Sequence, residues 1–401
     1  MPNVAVIGGG PSGLMAADVI SAVGIGVTVY DRMPTFGRKF LMAGRGGLNL
    51  THSEPLELFL TRYGAARSWL EPHLQAFPPE RVLAWAHDLG QKTFVGSSGR
   101  VFPTAMKASP LLRAWIARLS SRGVVFATAH RWTGFEAPGQ LRFETREGRI
   151  LAEASATVLA LGGASWPRLG SDGGWLDGLA AQGVVIHPLV PANCGVRIAW
   201  SERFTARHVG TPLKRIALTL AGRRVRGEVV ISATGLEGGV VYALTPEIRR
   251  LLASGESVSL EIDLRPDEAL SPLTDRLSRA RGKQSMSTFL ARAIDLAPAG
   301  RSLLFEAAGR TLPTAPDALA RLIKGVSVTI EGLASLDRAI STAGGVATSE
   351  IDSEMMLRRM PGVFVAGEML DWEGPTGGYL LQGAFATGFA AGHGVLHHLG
   401  R

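Results

Sequence analysis

One pattern near the amino terminus restricts the fold more than anything else in the chain. Val4 to Ile7 is a short apolar run of the kind shown by a strand buried in a parallel sheet, and it runs directly into Gly8-Gly9-Gly10-Pro11-Ser12-Gly13. Leu14 to Val23 then reads as a helix, and Val27 to Tyr30 as a second strand that ends in Asp31 and Arg32. Gly8, Gly10 and Gly13 satisfy GxGxxG, and the acid stands 23 positions after Gly8. Strand, glycine turn, helix, strand and acid in this order form the dinucleotide-binding fingerprint. Gly8 permits the tight turn, Gly10 beside Pro11 and Ser12 lets a pyrophosphate approach the backbone, and Gly13 lets the helix pack close to the sheet. The unpaired N–H groups at the helix start, backed by its dipole, hold the anion. Asp31 would accept hydrogen bonds from the ribose. The fingerprint alone does not separate FAD from NAD.

The remaining glycines make that separation. Fifty of 401 residues are glycine, a residue that costs conformational entropy and persists where backbone bends sharply or touches a ligand. Gly37 to His52 follows closely after Asp31, where a dehydrogenase that binds only a nicotinamide would continue with its next helix. Here Arg38 and Lys39 could neutralise pyrophosphate. The bare backbone at Gly44, Gly46 and Gly47, with Asn49 beyond it, could lie along a long cofactor; the alternative is a flexible surface loop. Ala156 to Leu161, with Ala160 near its end, reads as a buried strand entering Gly162-Gly163, and a second glycine group follows at Gly170 to Gly174. Val124 to Thr128 reads as another strand, after which Ala129 to Trp132 could border the adenine. Late in the chain, Val363 to Ala366 is a strand ending in Gly367-Glu368. Then come Gly374 to Gly383, containing Gly377, Gly378, Tyr379 and Gln382, and an Ala/Gly-rich helix to about His398. Two-dinucleotide-type flavoproteins place there the acid that bonds the ribityl chain. They also place there a helix whose amino end faces the flavin N1–C2 edge.

Together these segments resemble a bacterial flavoprotein family, the HI0933-like or aminoacetone-oxidase-like NAD(P)/FAD-dependent oxidoreductases. Its members carry a GxGxxG start, a GRK…SGGGRCNLTN loop, an ATGG strand turn and a C-terminal TxGGV…PGLYFAGEVLDxxGxTGGYNLQ signature. The matching segments are Gly8 to Gly13, Gly37 to Thr51, Leu159 to Gly163, Thr342 to Val346 and Pro361 to Gln382. The resemblance implies an α/β fold, a two-dinucleotide-type Rossmann FAD domain with non-covalent FAD, and an inserted antiparallel β-barrel-like domain with helices. The family's Arg-Cys pair is Gly47-Leu48 here, and its GGYNLQ asparagine is Leu380. In the segment Gly227 to Gly238 the family's histidine is Ala233, and its Ser-Gly-Pro becomes Glu237-Gly238-Gly239. These departures put the family's substrate in doubt and leave the cofactor intact.

From about Val185 to Leu336 the glycine clusters thin out. Short alternating strands are expected at 196–199, 215–220, 228–232, 258–262 and 326–330, and helices at 246–253, 267–281, 287–296 and 315–323. The expected division is 1–185 and 337–401 for the FAD domain and 186–336 for an insertion that caps the flavin and shapes the substrate pocket. With a single GxGxxG, NAD(P)H would bind transiently or not at all.

Charge and cysteine content exclude other classes. The net charge is +8, yet only six of the 42 basic residues are lysine and no basic block occurs, which fits an arginine-rich surface better than nucleic-acid binding. The single cysteine, Cys194, cannot form an internal disulfide, a zinc ribbon or an iron–sulfur site; no metal is expected, and a reducing cytoplasm fits. Pro2 to Ala17 lacks the basic start of a signal peptide, and the uncharged Pro375 to Leu399 is broken by glycines and histidines, so no membrane segment is expected.

The expected activity is that of a soluble FAD-dependent oxidoreductase passing hydride through flavin N5 to or from a small organic molecule. A flavin-dependent RNA-modifying enzyme and a flavin redox sensor stand as alternatives. No catalytic residue is assigned. Tyr379 could donate a hydrogen bond or stack, His52 could carry a proton or be an ordinary bonded histidine, and Glu237 could face substrate or be a solvated turn.

Overall fold

The computed structural model describes residues 2–309 and 311–401. The chain divides into two compact units, one formed by Met1–Val190 with Ser341–Arg401 and the other by Pro191–Ile340. These borders lie a few residues beyond the ones read from glycine density. Ile186–Ala192 pairs with Ser341–Val346, and this two-stranded connection carries the chain out of the first unit and back.

The first unit is built on five parallel strands in the order Val363–Val365, Ala156–Leu159, Asn3–Ile7, Gly26–Asp31 and Val125–Thr128. Each apolar run anticipated in the sequence is one of these strands; Val4–Ile7, Ala156–Leu159 and Val363–Val365 are buried on both faces as a parallel sheet demands, while the edge strand Val125–Thr128 is partly exposed. Pro11–Ser21 leaves the first strand through the glycine turn, with proline at its first position, where no N–H is needed. Tyr379–His398 packs beside it: a side chain at Gly388 would sit 2.3 Å from Ser12 O, and one at Gly392 2.7 Å from Val19 Cβ. That approach explains the uncharged, glycine-rich tail as buried scaffold. Among the described residues no helix is long and apolar enough to cross a membrane.

Two smaller sheets in this unit were not anticipated. Arg131–Ala137, Gln140–Thr145 and Gly148–Glu153 form an antiparallel meander, and Thr51–His52, Arg100–Pro103 and Thr93–Val95 form a short sheet under the Gly37 loop.

The second unit holds seven strands in the order Val326–Ile330, Val258–Asp263, Pro212–Leu220, Arg223–Ser232, Gly235–Glu237, Val196–Arg197 and Gly332–Leu333, with antiparallel pairs throughout. The strands at the two ends of this order are separated in sequence only by Glu331, so the sheet must curl back on itself in a barrel-like way. Its helices include Thr245–Ala253, Leu270–Leu277, Met286–Ile294 and Pro316–Lys324. The helix expected over 267–281 is the shorter Leu270–Leu277. Pro298–Ala307 is an additional helix, entered through a proline that the sequence reading passed over.

Candidate cofactor and active site

The glycine turns, far apart in the chain, meet along one side of the parallel sheet. Gly8 has φ of +110°, and a side chain there would lie 2.2 Å from Ala160 O, so the first strand and the Ala156–Leu159 strand close on each other at this point. A side chain at Gly13 would lie 2.0 Å from Gly8 O, the close helix–strand packing that the third fingerprint glycine exists to allow. One at Gly367 would meet Ser12 Oγ at 2.2 Å, and one at Gly378 would meet the Thr51 backbone at 2.6 Å. The amino-terminal turn, the Gly37–Thr51 loop, the Gly162 turn and the C-terminal signature are therefore neighbours.

Gly10 differs from these. An added side chain would meet no atom within 4 Å, and the helix behind it has no side-chain cap. The first N–H groups of that helix lack intrahelical acceptors. Gly46 is likewise open, while a side chain at Gly44 would press on Ala108. Asp31 receives Gly9 N–H at 2.9 Å and Met33 N–H at 2.8 Å, one on each carboxylate oxygen. Each oxygen keeps a lone pair for a further donor. Burial raises its pKa against the lowering effect of those two bonds.

The charged residues of the cradle are cross-linked. Lys39 Nζ donates to Glu368 Oε2 at 2.6 Å and to Ser165 Oγ at 2.6 Å. Glu368 also accepts Thr342 N–H at 3.0 Å and Gly163 N–H at 3.4 Å, so one carboxylate ties four glycine-bearing or flanking segments together. Arg32 pairs with Asp172, beside Gly170–Gly174. The Lys39 charge is thus matched by Glu368, which leaves the helix N–H groups and Arg38 as groups that could meet an anionic diphosphate.

Several polar atoms here are buried without partners: Arg38 Nε, Asn49 Oδ1, Thr51 Oγ1 and Ser171 Oγ. A buried polar group left unmade costs about 1–3 kcal/mol, so four of them on the very segments that carry the glycine clusters mark the surface a polar ligand would cover. Together with the open face at Gly10, these residues fit an extended dinucleotide such as FAD.

Tyr379 does not point its hydroxyl into open space. It donates to Glu54 Oε1 at 2.5 Å, and Glu54 is held by Arg62 at 2.6 Å. Burial raises the Tyr379 pKa well above its ordinary value, and the Glu54 carboxylate reinforces the shift. Its ring packs on Phe59, 4.7 Å between centroids, and on His52 at 5.5 Å. His52 Nδ1 accepts Glu54 N–H at 3.1 Å, which leaves Nε2 to donate to Ser98 O at 3.0 Å. His52 is accordingly a bonded structural histidine. Gln382 is fully buried and gives its amide to Phe77 O at 2.6 Å, with Oε1 unpartnered. Trp132 packs against Phe135, and its buried Nε1 has no partner. Glu237 stands exposed at a strand end in the second unit. Cys194 is buried, its thiol pushed up to about 11 by desolvation. No group of three or more His, Cys, Asp or Glu able to hold a metal occurs among the described residues. The sequence reading missed Glu54, Arg62, Ser171 and Arg100, each of which belongs to this region.

Known proteins share this organisation. The chain is 28% identical over 412 residues to the 3-dehydro-bile acid delta(4,6)-reductase of Clostridium scindens, covering 98% of each. It is 23% identical to the ribosomal RNA dihydrouridine synthase of Haemophilus influenzae, covering 96% of each. Among solved structures, the 3-ketosteroid delta1-dehydrogenase of Sterolibacterium denitrificans shares the fold at a TM-score of 0.56 and 13% identity, covering all of both chains. A flavocytochrome c3 fumarate reductase does so at 0.50 and 15% identity, with 99% of this chain and 78% of that one covered. The model of the HI0933-like protein Rossmann domain matches residues 2–394, and with this match the chain belongs to the HI0933-like family of FAD-dependent oxidoreductases.

Proposed function

We propose that this chain is a reductase that saturates a carbon–carbon double bond conjugated to a carbonyl group, with FAD as its non-covalent cofactor. The observation that carries this reading is the chemistry shared by two relatives matched over nearly their full length. One is named for reducing delta(4,6) bonds of a 3-dehydro bile acid, the other for making dihydrouridine. Both names describe the addition of two hydrogens across an alkene next to a carbonyl. Bound FAD would supply the hydride; the chain supplies binding, orientation and a dry site.

The roles of its residues follow from the cradle. The amino end of Pro11–Ser21, freed of side chain at Gly10, holds the diphosphate, with Arg38 beside it. Asp31 orients the adenosine ribose through its spare lone pairs, and Arg32, tied to Asp172, fixes the segment that follows Gly162. Glu368, aligned by Lys39 and two backbone N–H groups, holds the ribityl chain. Gly44, Gly46, Asn49, Thr51 and the Gly377-Gly378 turn flank the ring system. NAD(P)H is the reductant of this proposal, and with a single GxGxxG in the chain it would bind only transiently. The setting is the reducing cytoplasm, where one buried thiol needs no protection.

A small organic enone is the first substrate class. A uridine within RNA is the second, favoured by the dihydrouridine synthase relatives and by the charge of the second unit. Residues 191–340 hold 21 Lys and Arg against 15 Asp and Glu, a net +6 of the chain's +8. The test is anaerobic reduction of the purified yellow protein with NADH or NADPH, followed by offering a 3-oxo-4-ene steroid acid or a uridine-containing RNA. Reoxidation of the flavin with a product heavier by two hydrogens supports the proposal. Reduced flavin that reacts with oxygen alone and with neither acceptor counts against it.

A further inference from the structure

At the amino end of Tyr379–His398 the chain turns through Gly377 and Gly378, with φ of +111° and +108°. This 20-residue helix has no side-chain cap, and its positive end is aimed at the turn. We propose that Arg100 joins this helix terminus in holding the N1–C2 carbonyl edge of the bound flavin and stabilises the negative charge that reduction leaves there, an inference that rests on the FAD reading above.

The geometry brings Arg100 to that place. A side chain added at Gly377 would lie 3.2 Å from Arg100 Nε, so it is the bare backbone at 377 that admits the guanidinium to the turn. Arg100 opens the strand Arg100–Pro103 and is paired with His52, while Val101 is paired with Thr51. Gly378 in turn presses on the Thr51 backbone. Arg100, Thr51 and the helix terminus therefore share one spot.

Two independent features say that an anion belongs there. Arg100 has no acidic partner among the described residues, whereas nearby Arg62 and Lys39 are matched by Glu54 and Glu368. Arg100 is exposed, so its charge is solvated in the free protein and is left available to a negative group beside the positive end of the helix. Thr51 is fully buried, yet its hydroxyl, a donor an anion could accept from, has no partner. Adding two electrons and one proton at N5 places one negative charge on the ring, spread over N1 and the C2 carbonyl. Arg100 has no part in proton transfer here. It acts as a fixed electrostatic partner for charge that develops during the reaction.

The test uses FAD-loaded protein and two variants, Arg100→Gln and Arg100→Lys. The readouts are the two-electron reduction potential, by equilibration with a reference dye, and the dissociation constant of the sulfite adduct at flavin N5. Arg100→Gln should disfavour reduction about tenfold, equivalent to about 30 mV for a two-electron couple. Sulfite binding should weaken by a similar factor, and Arg100→Lys should recover part of both. One measurement needs no variant: the reduced cofactor in the unaltered protein should take up its N1 proton at lower pH than free reduced FAD titrated alongside. A fully loaded Arg100→Gln protein with unchanged potential and sulfite affinity overturns the proposal. So does a reduced cofactor that titrates with the free one. A purified protein that releases no FAD defeats the cofactor reading, and this inference falls with it.

Discussion

Replacing Gly10 by alanine separates the cofactor cradle from the stability of the fold. The methyl group would meet nothing within 4 Å in the protein. Gly10 has φ −85° and ψ −177°, extended backbone that alanine adopts freely. The cost to the apoprotein is therefore only the difference between glycine and alanine at a helix N-cap, under about 1 kcal/mol. In the complex the same methyl stands where the diphosphate approaches the N–H groups. Displacing the anion by about 1 Å would forfeit two charge-assisted hydrogen bonds of roughly 1.5–3 kcal/mol each. The sum, about 3–6 kcal/mol, corresponds to a 10²–10⁴-fold weaker dissociation constant. The assay titrates apoprotein with FAD by flavin fluorescence quenching, alongside denaturant unfolding of the apoprotein. Gly10→Ala should unfold at nearly the same denaturant concentration and bind FAD at least a hundredfold more weakly. Unchanged FAD affinity would refute the placement of the diphosphate, and equal loss of stability would refute the claim that the face at Gly10 is open.

Three other expectations follow from particular residues. Burial raises the Asp31 pKa above the ordinary aspartate value, so ionising it opposes folding. This contribution favours the apoprotein below the ordinary value and is lost as pH rises through the raised one, whereas FAD affinity grows as the carboxylate forms. Asp31→Asn should flatten both slopes in an acid titration of unfolding and of FAD binding. Burial of Glu54 is outweighed by its bonds to Arg62 and Tyr379, which lower its pKa. Its stabilisation is present above the ordinary glutamate value and lost as pH falls through the lowered one, so Glu54→Gln should cost about 1–3 kcal/mol at neutral pH in denaturant unfolding, and less in acid. Cys194, with its thiol near 11, should resist a disulfide reagent at pH ~8 until the protein is unfolded; labelling of the folded protein at the rate of a free thiol would contradict its burial.

What could be read in the sequence was local. The turn after Ile7 needs glycines at fixed spacings because strand exit, anion approach and helix packing are settled within thirteen residues, and the structure places the helix Pro11–Ser21 accordingly. The strand–glycine–acid end at 363–368 was legible for the same reason. Pairings set by long-range approach were not. Arg100 looks like the polar start of an ordinary strand, and its position is decided by a glycine 277 residues later. Tyr379 could have donated or stacked by sequence alone; it does both, because Glu54 lies under its hydroxyl and Phe59 under its ring. The meander from Arg131 to Glu153 alternates buried and exposed positions at Leu141, Arg142 and Phe143, a period-two signal that the search for cofactor turns passed over. The shortening of the helix expected at 267–281 was foreshadowed by Pro272 and by the glycine at 282, which weaken helical continuity at both ends.

The most direct measurement is the identity and amount of chromophore released when the purified, desalted protein is denatured. The cradle predicts FAD, close to one per chain and freed without proteolysis, with Gly10→Ala carrying far less. A protein that folds normally, binds no FAD when it is supplied, and releases FMN or nothing would contradict the claim that these scattered glycine turns enclose a single dinucleotide.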